Sequence, residues 1–277
     1  MSGVGICRDV AGLRQAVAGW RAAGERVALV PTMGALHEGH LSLIDKARER
    51  GAERIVASIF VNPTQFSPSE DFDAYPRPLD DDLAALAGRS ADLAYVPAVS
   101  VMYPRGFAIE IVPGGPATAD LEAACRPGHF AGVATVVAKL LLQCRPDMAV
   151  FGEKDYQQLL VIRRMARDLD IACDIVAAPV ARDAHGLALS SRNVYLSGEQ
   201  LAVARRLNAI LRRIADDPAT LPGVTDELLR AGFDAVDYVA IRDAETLGPP
   251  EPGRPRRLLA VARIGEVRLL DNMPVEG

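Results

Sequence analysis

A chain of 277 residues with a formal net charge of −5 offers nucleic acid no general attraction, so an anionic ligand would need a local pocket of cations. Its 49% hydrophobic and 24% charged residues are ordinary for a soluble globular protein. No apolar stretch reaches the ~18 residues of a membrane helix: residues 131–144 come nearest, and Lys139 interrupts them. The length suits one large domain or two smaller ones.

Residues 1–9 lack the basic start and apolar core of a signal peptide. The four cysteines, Cys7, Cys125, Cys144 and Cys173, are scattered without a C-x-x-C pair. That spacing fits reduced thiols in a cytoplasm and gives no zinc signature. Cys125 beside Arg126 could act as a thiol nucleophile, although an idle cysteine is the plainer reading.

Strand-like apolar runs follow at 27–30, 54–61, 93–96, 148–151 and 173–177, with helical stretches near 40–50, 79–88, 131–143 and 156–168 between them. This alternation predicts an α/β architecture, a Rossmann-like parallel sheet with helices on its faces. Residues 103–118 are rich in proline and glycine around a strand-like 108–112, an excursion from the main sheet. After Pro179 the character changes. One helix over 198–214, a second near 224–231 and strands at 236–241, 258–263 and 267–270 predict a smaller C-terminal α+β domain. The boundary is placed near 180, giving a ligand-binding domain over 1–180 and a lid domain over 181–277.

The chemistry gathers where strands feed helices. His37-Glu38-Gly39-His40 follows the run that ends Val30-Pro31-Thr32-Met33-Gly34. That corner is where an open α/β sheet binds ligands, and a helix N-terminus offers free N–H groups to phosphate. His37 and His40 are three apart and share one side of the first turn. Gly39 leaves bare backbone against which a flat ring can lie. A four-residue match of this kind also arises by chance, and two such histidines can be plain surface residues.

Asn62-Pro63 ends the second strand and puts Gln65 at the same sheet edge as His37, as a neutral hydrogen-bonding group or as part of a plain turn. Asp80-Asp81-Asp82 starts a helix, where carboxylates usually complement the dipole. Asp81 and Asp82 could instead hold magnesium together with phosphate oxygens. Arg126 and His129 gather before the helix 131–143, in a loop that could act as a substrate lid. Gly152-Glu153-Lys154-Asp155 is a second strand–helix corner, with a lysine available to phosphate and Gln158 one turn on. Leu189-Ser190-Ser191-Arg192 supplies two hydroxyls and a guanidinium suited to phosphate; such loops are more often simply solvated.

Taken in order and spacing, these segments resemble the pantoate–β-alanine ligase family. The matching stretches are residues 31–40, 60–66, 75–77, 126–133, 151–158 and 186–193, with Leu269-Leu270-Asp271-Asn272 near the end. The resemblance implies a nucleotidyltransferase fold related to class I aminoacyl-tRNA synthetases, with 37–40 similar to their HIGH signature and 189–192 to their KMSKS loop. It implies ATP-dependent joining of pantoate to β-alanine with magnesium, through a pantoyl adenylate, releasing AMP and pyrophosphate. It also implies a homodimer, while the cysteine spacing, the net charge and the lack of a long apolar run point to a cytoplasmic protein that binds neither nucleic acid nor membrane.

By the resemblance, ATP meets Pro31, Thr32, Met33, His37, Gly39 and His40 from the first corner. From the second corner and the polar loop it meets Gly152, Lys154, Asp155, Ala181, Leu189, Ser190, Ser191 and Arg192. Gln65 and Gln158, with Asn62, Arg126 and His129, face pantoate and β-alanine. Catalysis would rest on His37, His40, Lys154, Ser190, Ser191 and Arg192, with His40 the donor to the α-phosphate region. His185 stands where the family usually has aspartate, which puts the turn before the 190–192 loop in question. A phosphodiester-forming cytidylyltransferase or adenylyltransferase, and a non-catalytic nucleotide-binding protein, are the competing readings.

Overall fold

The computed structural model describes residues 3–67 and 72–276; of the residues read for a leader, 1 and 2 lie outside these. In chain order the first half holds β1 (Gly5–Cys7), α1 (Val10–Ala22), β2 (Val27–Thr32), α2 (Glu38–Glu49), β3 (Arg54–Ile59), α3 (Leu79–Gly88), β4 (Leu93–Tyr95), α4 (Val99–Met102), α5 (Glu122–Cys125) and α6 (His129–Cys144). The second half holds β5 (Met148–Gly152), α7 (Tyr156–Asp168), β6 (Asp174–Ala178), α8 (Gly198–Ala204), α9 (Arg206–Asp216), α10 (Val224–Arg230), β7 (Ala235–Asp243), β8 (Arg256–Ile264) and β9 (Val267–Val275).

Six strands form a parallel sheet in the order β1-β4-β3-β2-β5-β6. Its central strands are apolar on both faces because helices cover both: Leu29, Val56 and Phe151 face one core, and Val30, Ile55 and Val150 the other. From β2 the chain proceeds to β3 and β4 on one side and to β5 and β6 on the other. The C-terminal ends of β2 and β5 therefore flank the switch point where such sheets bind ligands. A second, antiparallel sheet, β7-β8-β9, packs its own core against α9 through Leu207, Leu211 and Ile214. This is the expected fold class. Among the described residues no helix is long and apolar enough to cross a membrane.

Three local expectations are corrected. Residues 108–112 form no strand: Ile109 and Val112 are 71% and 74% exposed, and Ile111 N donates to Thr135 Oγ1 instead of to a neighbouring strand. The helix expected over 198–214 is two helices abutting at Arg205, whose Nε donates to Asp183. The carboxylate of Asp82 is 2% exposed and accepts backbone N–H groups from Ala35 (3.0 Å) and Leu36 (2.7 Å). It is thus a strut beneath the β2–α2 turn. With both oxygens committed there it does not fit magnesium ligation, and Asp81 beside it is exposed.

Candidate active site

α2 starts with an unusual cap. Ser, Thr, Asp and Asn lead at this position because a short side-chain oxygen reaches the free N–H groups. Here His37 does so through its ring: Nδ1 accepts from Gly39 N at 3.1 Å. His40 reciprocates, its Nδ1 accepting a long 3.4 Å contact from His37 N. Both Nδ1 atoms act as acceptors, so each ring carries its proton on Nε2 and is neutral. Burial drives the pKa of His37 down to about 4, helped by the charge of Lys154. Burial drives His40 to about 3, helped by His37 and then Lys154. The rings lie 4.1 Å apart, centre to centre. A Cβ on Gly39 would stand 2.8 Å from the His37 ring, so the bare backbone here first makes room for the cap.

The β3 end is locked by amides. Asn62, 1% exposed, donates to Gln65 Oε1 (3.1 Å) and to the Gly132 carbonyl (3.2 Å), and accepts from Tyr103 Oη (2.7 Å). That contact requires α6 to lie almost against the 62–65 turn: a Cβ on Gly132 would sit 2.4 Å from the Thr64 carbonyl oxygen. Gln65 then spends its Nε2 on Met33 Sδ at 3.1 Å. A thioether is a weak acceptor, so a carboxylate or hydroxyl oxygen arriving in the cleft displaces it readily. His129 Nδ1 contacts the Gln65 carbonyl at 2.9 Å, and its Nε2 contacts Arg126 Nη1 at 3.0 Å. A carbonyl only accepts and a guanidinium only donates, which fixes the proton on Nδ1.

The 189–192 loop closes over the first corner. Ser191 Oγ donates to the Ala35 carbonyl at 3.2 Å, Ser190 Oγ accepts from Arg192 N, and the Arg192 guanidinium lies 5.6 Å from the Tyr75 ring. The turn before it is held by Asp183, whose Oδ1 accepts from His185 N and Leu187 N at 2.8 and 2.9 Å. The exposed His185 side chain takes no part in these bonds, so the turn accommodates it in place of aspartate.

These segments enclose a cleft of about 240 Å³. It gathers the predicted residues Pro31, Thr32, Met33, His37, Gly39, His40, Asn62, Gln65, Arg126, His129, Gly152, Lys154, Asp155, Gln158, Ala181, Leu189, Ser190, Ser191 and Arg192 along one wall or another. Asp81 and Asp82 are outside it. Among the described residues, three cations, Arg126, Lys154 and Arg192, line it against one carboxylate, Asp155: a local reversal of the chain's overall charge. The floor is apolar and escaped the sequence reading. Val133, Val136, Val137 and Leu140 form one stripe of α6, where the residue spacing alone suggests core packing. Among the described residues no group of three or more His, Cys, Asp or Glu could hold a metal.

Comparison with known proteins points to one family. The family model described as pantoate-beta-alanine ligase matches residues 5–274. The chain is 57% identical to the pantothenate synthetase of Mesorhizobium japonicum, over 99% of each chain. It is 55% identical to that of Paramagnetospirillum magneticum, over 99% of this chain and 98% of the other. A crystal structure of pantothenate synthetase from Thermus thermophilus superposes with a TM-score of 0.87 at 46% identity, covering 99% of this chain and 100% of that one. The pantoate-beta-alanine ligase of Francisella tularensis, complexed with beta-gamma ATP and beta-alanine, gives 0.87 at 34% identity over 99% and 98%.

Proposed function

The chain belongs to the pantoate-beta-alanine ligase family, and from that premise we propose how its cleft performs the reaction. The enzyme condenses pantoate with β-alanine at the expense of ATP, by way of a pantoyl adenylate. A carboxylate is a poor electrophile. One of its oxygens therefore first attacks the α-phosphorus of ATP, and pyrophosphate leaves. The β-alanine amine then attacks the acyl carbon, loses a proton, and AMP leaves. Both steps depend mostly on alignment and on stabilising charge that develops at phosphate.

His37 and His40 supply neutral Nε2–H donors at the start of α2, and His40 serves the α-phosphate region. Lys154, Ser190, Ser191 and Arg192 surround the departing pyrophosphate, which enters as the magnesium complex of ATP. Pro31, Thr32, Met33, Gly39, Gly152, Asp155, Ala181 and Leu189 shape the nucleotide's bed. Gln65 and Gln158 hold pantoate through amides, which orient a carboxylate without quenching it as an ion pair would. Arg126 and His129, joined through the Gln65 carbonyl, keep that glutamine in place, and Asn62 holds its other end. The observation that best supports this reading is the pair of neutral histidines in a cleft lined by Arg126, Lys154 and Arg192 at the sheet's switch point.

By the same reading the protein divides near residue 180, the C-terminal part covers the cleft, and the protein works as a homodimer in the cytoplasm. Light scattering on the purified protein checks the dimer. ATP–pyrophosphate exchange with pantoate and no β-alanine tests the mechanism. Pantoate-dependent exchange is expected; exchange only when β-alanine is present would refute a free-standing adenylation step.

A further inference from the structure

Two adjacent residues of β9, Asp271 and Asn272, are each 3% exposed and fully engaged. Successive strand residues face opposite ways, and these two serve different segments. Asn272 Nδ2 donates to the carbonyls of both Glu153 and Lys154, each at 2.9 Å. Its Oδ1 accepts from Arg257 Nε at 2.8 Å, and Arg257 in turn reaches Glu153 Oε2 at 3.0 Å while its guanidinium lies 4.0 Å from the Tyr156 ring centre. Both amide hydrogens thus hold the backbone that bears the Lys154 ammonium.

On the opposite face, the Asp271 carboxylate takes Arg182 bidentately, at 2.7 Å to each oxygen, with Asn208 Nδ2 at 3.3 Å. Arg182 also donates to the Gly186 carbonyl at 2.9 Å and pairs across a short hairpin with Ala188. The 189–192 loop springs from that hairpin, where Leu189 N donates to the Ala181 carbonyl.

We propose that β9 sets the spacing between the two phosphate-facing segments, with Asn272 the positioning residue for Lys154 and Asp271 that for the 190–192 loop. Neither touches substrate; each acts through a backbone it fixes. The inference rests on the reading that Lys154 faces the triphosphate. A displacement of about 1 Å at such a group slows the chemistry on the order of 100-fold.

The test is a double-mutant cycle on single-turnover pyrophosphate release from MgATP and pantoate. Asn272→Ala is expected to slow release about 10- to 100-fold in the wild-type background. It should add nothing in a Lys154→Ala background, because the two changes then remove one function. Equal losses in both backgrounds, or a wild-type rate for Asn272→Ala, would overturn the proposal. If Asn272→Ala does not fold, Asn272→Asp takes its place; it has the same shape and turns an acceptor toward two carbonyls, and the same outcomes decide. A wild-type rate in Lys154→Ala itself would instead sink the reading of the cleft, and this inference with it.

Discussion

Replacing Gly132 with alanine probes whether the close approach of α6 to the 62–65 turn builds the pantoate subsite. The new methyl would lie 2.4 Å from the Thr64 carbonyl oxygen, 2.6 Å from its carbon and 2.8 Å from the Gln65 nitrogen, where ordinary contact begins at 3.4 Å. The turn or the helix must therefore retreat by about 1 Å. On an open helix face the same change would gain ~1 kcal/mol, because glycine is the poorer helix former. Here the obstacle is backbone, pinned by the buried Asn62, and overpacking of this kind costs ~1–3 kcal/mol. The clash therefore cancels or outweighs the propensity gain, and the net loss of stability is modest. Function suffers more: a 1 Å shift of Gln65 predicts about a 100-fold fall in kcat/KM for pantoate. Exchange assays over pantoate and ATP concentrations, with calorimetric ATP binding and thermal unfolding, separate the effects. A fall confined to pantoate, with ATP affinity unchanged, is expected. Wild-type kcat/KM for pantoate together with a raised Tm would show that the turn yields freely and that the reasoning is wrong.

Three further outcomes follow from the site. His40→Ala removes a donor to developing charge and should lower adenylate formation by about 10²–10³-fold; near-normal turnover would exclude that role. Asp82→Asn places an amide donor against a backbone N–H of the 35–36 turn and should cost ~1–3 kcal/mol in denaturant unfolding, leaving the magnesium dependence of the rate intact. A shifted magnesium dependence would restore it as a ligand. The buried His40 titrates near 3 when folded and near the ordinary 6.5 when unfolded, so the unfolded chain binds the extra proton between these values. Stability contributed by neutral His40 is then complete above about pH 6.5 and drains away as pH falls toward 3, by up to ~1.4 kcal/mol per pH unit. His40→Gln should flatten the unfolding curve between pH 6.5 and 5, and parallel curves for the two proteins would contradict the assignment.

The central strands were legible because burial on both faces makes them unbroken apolar runs, as in Val27-Ala28-Leu29-Val30 and Ala149-Val150-Phe151. β1 and α1 were not. β1 is a three-residue edge strand in which Gly5 and Ile6 are exposed, and α1 buries only Leu13 and Val17. The alternation at 108–112 imitates a strand, but Ile111 N bonds the Thr135 hydroxyl of α6 in place of a strand partner. Asp80, Asp81 and Asp82 are chemically identical in the sequence, and only the β2–α2 turn lying over the third decides which one is structural. The histidines, Lys154 and the serines of the cleft were visible as local strand–helix motifs. Asn272 was legible only as one residue of a matching segment, because its partners are 118 and 119 residues away and a polar residue in a terminal strand reads as solvent-facing.

That separation has a consequence for the order of folding. The bonds from β9 to Glu153 and Lys154 close loops of 119 and 118 residues, and the bond from Asp271 to Arg182 closes one of 89. Contacts so distant along the chain form slowly, since the entropy of closing the loop is lost before the bonds are gained. Within the parallel sheet, β2–β3–β4 and β5–β6 pair near neighbours and can assemble while the 153–154 carbonyls and the Arg182 hairpin still lack their partners, but joining β2 to β5 sets Ala28 beside Met148 and is as distant a closure as those of β9. Competence to grip a nucleotide is then acquired at the end of folding, and the appearance of ATP binding during refolding marks the point at which β2 has met β5 and the second sheet has docked.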